Sequence, residues 1–113
     1  MKKWIRKAAT AALLVLAVLA SPAYAGAADA IERGNYYAAH NYLGAAVLAY
    51  SVAIETGDRN ERILARFQRA RVYVAQKRWR AAASDFSEVV AYESDWRKAQ
   101  SGLAWSFHQQ GKN

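Results

Sequence analysis

The sequence predicts an all-helical protein built from antiparallel helix pairs, and three observations predict it. First, a shift of 36 residues superposes small and aromatic residues on their like: Gly34, Tyr37, Leu43, Ala46, Tyr50 and Ala53 fall on Ala70, Tyr73, Trp79, Ala82, Phe86 and Val89. A further shift of 34 carries Ala70 and Tyr73 to Ala104 and Phe107. Second, residues 26–113 contain no proline, because the single Pro22 lies upstream. Third, this stretch is rich in Ala, Arg, Gln and Leu, which favours continuous helices joined by short turns.

Element by element, the first helix is expected at about Ala28–Ala39 and the second at about Tyr42–Glu55. Thr56 to Asn60 reads as a turn, with Gly57 a left-handed terminator and Asn60 the N-cap of a third helix reaching about Gln76. The short Lys77-Arg78 link leads into a fourth helix, about Trp79–Tyr92. Asp95 is placed to cap a fifth helix ending near Gln110, with Gly111 as its stop. Gly34, Ala70 and Ala104 are assigned to close helix–helix approaches, where a side chain beyond methyl clashes. Tyr37, Tyr73 and Phe107, three residues on, share that face and fill the adjoining space. Ala46 and Ala82 repeat the small-residue role on the second helices, with Tyr50 and Phe86 as the matching bulk. Ala81, one residue from Ala82, is expected to face outward.

The first 25 residues are of another kind. Lys2, Lys3, Arg6 and Lys7 precede an apolar run from Ala8 to Ala20, and Ser21-Pro22 is followed by Ala23-Tyr24-Ala25. This is the layout of a secretory signal peptide cleaved before Gly26. The run of 13 residues is shorter than the roughly 20 that span a bilayer. The alternative is an uncleaved signal that anchors the protein at the inner membrane. The chain carries 16 basic and 9 acidic residues. Four of the basic ones lie before Gly26, so residues 26–113 hold 12 against 9, a net +3. With no cysteine there is neither disulfide nor thiolate chemistry, and an exported domain of this kind is held by its core alone.

The period and residue types resemble the tetratricopeptide repeat, a unit of two antiparallel helices in about 34 residues. The resemblance covers roughly Asp29 to Asn113 as two full units and the first helix of a third, at about 27–60, 63–94 and 97–113. It implies a short right-handed solenoid of about two and a half repeats and five helices. Two departures are visible. Arg33 and Arg69 stand where the family usually has leucine, as at Leu103, and Asp58 and Ser94 stand where a unit-ending proline is usual. A plain four- or five-helix bundle is the structural alternative.

In the family, the first helices of successive units line a concave groove for an extended peptide or a partner's helix. By slot, that groove would carry Asn35, Arg71 and Trp105, with Gln68, Lys98, His108 and Glu32 nearby. A carboxylate clamp of the family's type is not expected, because Ile31 and Gly102 occupy slots that need Lys and Arg. The resemblance therefore implies an adaptor, and the signal-peptide layout places it in the cell envelope, most simply the periplasm. It would bind a protein partner or peptide segment and require no cofactor. A small subunit docked permanently on a larger envelope complex is the second reading.

Catalytic signatures are missing from the sequence. His40 and His108 lie in separate units outside any metal-ligand spacing. Ser84, Ser87 and Ser101 lack a nucleophile-elbow context. Asp85 and Glu88 read as a helix pair on a solvated face. No enzyme, metal site or catalytic residue is expected. Arg62, Arg66 and Arg69 share a helix face at spacings of four and three, which makes them candidates for an acidic partner surface or anionic lipid head groups. The alternative is a solvated face offset by Asp58, Glu61 and Asp85. Nucleic acid is not expected, because residues 26–113 carry little net charge. Trp96, Leu103, Trp105 and Phe107 give the fifth helix a large apolar surface. It is therefore expected to dock a second copy or a partner, with Trp105 at the centre.

Overall fold

The computed structural model describes residues 26–93 and 96–112, which form five helices and, among the described residues, no strand. They are α1 (Ala27–Ala39), α2 (Leu43–Thr56), α3 (Arg59–Ala75), α4 (Trp79–Tyr92) and α5 (Arg97–Lys112). The expected signal peptide and the expected Asp95 cap lie outside the described residues. Each helix packs against the next in sequence. In addition α1 touches α3, and α3 touches α5, whereas α2 and α4 make no comparable contact. Nor does α1 pack on α4 or α5, so the helices do not close into a bundle.

The two turns inside the helix pairs are the same structure. Asn41 and Lys77 are left-handed, at φ 61° and 58°. In the first turn the amide of Tyr42 donates to the Tyr37 carbonyl at 2.8 Å and that of Asn41 to Ala38 at 3.1 Å. In the second, Arg78 donates to Tyr73 at 2.8 Å and Lys77 to Val74 at 2.9 Å. Both are the paired-bond motif that satisfies the orphan carbonyls at a helix end. They lie 36 residues apart, the interval of the sequence repeat.

The turn between pairs differs from expectation. Gly57 is not left-handed; it is extended at φ −82°, ψ 164°. Glycine is required there by crowding, since a Cβ would stand 2.6 Å from the Ala53 carbonyl oxygen and 2.9 Å from the Glu61 Cβ. The N-cap of α3 is Asp58 rather than Asn60. The Glu61 amide donates to Asp58 Oδ1 at 2.8 Å, and the Asp58 amide donates to Glu61 Oε1 at 3.0 Å. This reciprocal box satisfies two amides that helix geometry leaves unpaired. Gly111 does not stop α5, which continues to Lys112; a Cβ there would meet open space, so this glycine has no packing role.

Two apolar clusters share α3. Ala27, Ala30, Ile31, Ala46, Tyr50 and Ala53 from α1 and α2 enclose Ala65 and Val72 of α3. Ile63, Phe67 and Ala70, from another side of α3, pack with Ala82, Phe86 and Val89 of α4 and Ala99 of α5. The close approaches are real. A Cβ on Gly34 would lie 2.4 Å from the Tyr50 ring, and one on Gly102 would lie 2.4 Å from the Phe86 ring. Contacts this short would force side chains off their rotamers in a filled core. Trp96 and Leu103 pack against the second cluster, so half of the apolar surface expected to be free on the fifth helix is covered.

Candidate functional site

The contacts of α1 with α3 and of α3 with α5 bring the three odd-numbered helices onto one side. Two open clefts lie along it and meet at Arg71, which lines both. In the first, between α1 and α3, Asn35 and Gln68 stand over Tyr50. The Tyr50 hydroxyl donates to Asn35 Oδ1 at 2.5 Å. Burial raises the Tyr50 pKa above its usual value of 10.0, and the nearby Arg71 charge opposes that shift. Arg71 in turn donates to Gln68 Oε1 at 3.2 Å. The polar groups of this half are thus partly tied to one another.

The second cleft, between α3 and α5, has a volume of about 590 Å³. Phe67 and Phe86 contribute to its lining, and their rings meet edge to face with centroids 5.9 Å apart. Trp96 stacks on Phe67 at 4.2 Å and fixes that ring from another side. Arg71, Arg97 and Lys98 supply the charge, and Trp105, half exposed, lines it as well. Gly102 also lines it, where the absence of a side chain lets the buried Phe86 ring pack directly on α5.

Of the six groove residues read from the sequence, the structure sets Asn35, Gln68 and Arg71 in one cleft and Arg71, Lys98 and Trp105 in the other. His108 lines neither; its ring lies 6.1 Å from that of Trp105. Glu32 belongs to a separate depression with Asp29, Tyr36 and Tyr37. Sequence reasoning missed Arg97 and the rings of Phe67 and Phe86 as cleft residues. Slot mapping had assigned Phe86 to the core and offered no signal for the other two.

The arginine face is not the free surface that was expected. Asp85 is buried, not solvated, at 3 % exposure. Arg69 donates to both its carboxylate oxygens at 2.7 Å and to Ser51 Oγ at 2.9 Å, linking α2, α3 and α4. Arg66 approaches the same carboxylate at 3.5 Å. The hydrogen bonds to Asp85 push the Arg69 pKa above its already high value, against the effect of burial. Of Arg62, Arg66 and Arg69, only Arg62 is exposed; the other two are half-buried. Asp85, where the first pair has Ala49, gives Arg69 a bidentate partner.

Two large apolar side chains of α5 remain exposed, Trp105 at 50 % and Phe107 at 56 %. They lie two residues apart on a helix and so point in different directions. Among the described residues no three His, Asp or Glu side chains converge as metal ligands, and no helix is long and apolar enough to cross a membrane. Comparison with known proteins finds no family model, curated protein or solved structure that matches the chain.

Proposed function

We propose that this protein is a short tetratricopeptide-like adaptor, exported to the bacterial cell envelope, which holds a segment of a partner polypeptide along the face of α1, α3 and α5. The observation that carries the reading is the pair of clefts meeting at Arg71, on the one side where alternate helices touch. Recurrence of one turn geometry after 36 residues supports a stacked repeat over an irregular helical cluster. The experiment is co-purification from envelope extracts with tagged wild type and Trp105→Ala. Circular dichroism verifies that the variant is folded. Loss of a partner on the variant is expected, and equal capture by both chains would remove Trp105 from the binding surface. Mass spectrometry of the same preparation should show residues 1–25 absent.

A second reading, permanent docking on a larger envelope complex, draws support from Ala104 and Phe107. They are exposed on α5 in the slots that Ala70 and Tyr73 occupy against α4. Peripheral membrane binding through Arg62, Arg66 and Arg69 loses support, because Asp85 engages two of the three.

A further inference from the structure

We infer that the α3/α5 cleft selects an acidic polypeptide segment, one that alternates carboxylates with an aromatic or large aliphatic side chain. The inference rests on the reading of this face as a binding surface and specifies what that surface takes.

Charge and shape in the cleft point the same way. Arg71, Arg97 and Lys98 line it, and among the described residues no Asp or Glu does. Described acidic residues nearby are directed elsewhere. Asp85 is buried in its pairs with Arg69 and Arg66, and Glu93 lines a different depression with Asn60 and Trp96. Three cations converging on one concavity, with no counter-charge lining it among the described residues, raise its potential and attract anions from a distance. The apolar component is equally local. The guanidinium of Arg71 lies 6.0 Å from the Phe67 ring centroid, and Phe86 and Trp105 line the same space. Phe67 and Phe86 are buried in the floor and Trp105 is half exposed, so an aliphatic or aromatic side chain can pack against Trp105 while flanking carboxylates meet the cations. The α1/α3 cleft differs, with Asn35, Gln68 and Tyr50 offering neutral hydrogen-bonding groups that already bond to one another or to Arg71. The acidic part of a bound segment therefore belongs at the α5 end of the face. The acidic-partner surface moves from the arginines of the outer α3 face, where Asp85 engages Arg66 and Arg69, to this cleft.

The test is fluorescence anisotropy with a labelled peptide of alternating Asp and Phe, beside the same peptide with Ser for Asp and with Lys for Asp. The Asp peptide should bind at least ~10-fold more tightly than the Ser peptide, the Lys peptide not at all, and affinity should fall as salt rises through the Debye regime. Arg97→Glu with Lys98→Glu, both at exposed positions, should weaken the Asp peptide by ~10-fold or more, while Arg62→Glu leaves it unchanged. Equal binding of the Ser and Asp peptides, with loss on Trp105→Ala, would overturn the charge selection and leave the binding face standing. Failure of all three peptides to bind would overturn both, and indifference to Trp105→Ala would overturn the aromatic part of the selection. Capture by phosphatidylglycerol vesicles with the same dependence on Arg97 and Lys98 would overturn the polypeptide assignment in favour of a lipid surface.

Discussion

Helices α3 and α5 carry the same slots 34 residues apart, yet they are buried on different numbers of sides. Toward the preceding helix they agree: Ala65 and Ala99 are buried, and so are Val72 and Ser106. Ser106 replaces an apolar residue there at no visible cost, because its hydroxyl donates to the Gly102 carbonyl at 2.8 Å. Toward the following helix they part. Ala70 is fully buried under α4, while Ala104 in the equivalent slot is exposed, since no described helix packs on that face of α5. A repeated residue therefore marks a possible contact, and its burial depends on whether a neighbour covers it. In a stacked array each helix pair contacts only the adjacent pairs, so stability is approximately a sum of local interfaces.

The largest effect expected separates the two complete pairs. Ala49 in the first pair and Asp85 in the second occupy one slot, and both are buried. Asp85→Ala leaves Arg69 half-buried without its bidentate partner and should cost about 2–4 kcal/mol in a denaturant titration. Combining it with Arg69→Leu replaces the ion pair with apolar groups, and most of the loss should return. A double variant no more stable than Asp85→Ala would mean that the pair specifies the packing of α2, α3 and α4 in a way that apolar contacts cannot replace.

A smaller effect tests the covered and uncovered slots directly. Ala70→Leu should destabilise by roughly 1–3 kcal/mol through overpacking, and Ala82→Leu by a similar amount. Ala104→Leu should lie within about 0.5 kcal/mol of wild type, as surface changes usually do. Ala81→Leu, at a half-buried position, should fall between the two classes. Thermal unfolding of the four single variants decides the matter, and equal losses at Ala70 and Ala104 would mean that α5 is covered in solution, for instance by a second copy.

The helix limits were legible because packing periodicity repeats; Trp79–Tyr92 emerged from the sequence at both ends, and the other helices within one or two residues. The buried small residues were legible for the same reason. Three features needed more than periodicity. The capping box was written in the sequence as Asp58 and Glu61 three residues apart, but Gly57 and Asn60 offered competing signals that local propensity alone does not rank. The Arg69–Asp85 pair joins residues 16 apart on different helices, and its trace was a charged residue opposite Ala49 in the repeat. The cationic cleft depends on how α3 and α5 face each other, so Arg97 carried no sequence signal of its own.

The smallest effect concerns the two turns, whose backbones match while their residues do not. Asn41 and Lys77 both sit in the left-handed region, which costs a residue with a Cβ about 1–2 kcal/mol, and asparagine tolerates it better through local hydrogen bonding. Lys77 is exposed, so replacing it disturbs no core contact. Lys77→Asn should therefore stabilise the protein by roughly 0.5 kcal/mol, a rise of about 2–4 °C in Tm for a domain of this size. Asn41→Lys should lose a similar amount. Glycine at position 77 is the less informative choice, because its greater freedom in the unfolded chain offsets the relief of strain. Opposite signs for the two asparagine–lysine exchanges are expected if the turns are energetically equivalent. A loss in Lys77→Asn would show that the lysine side chain stabilises its turn, and that the second pair is closed by a different interaction from the first.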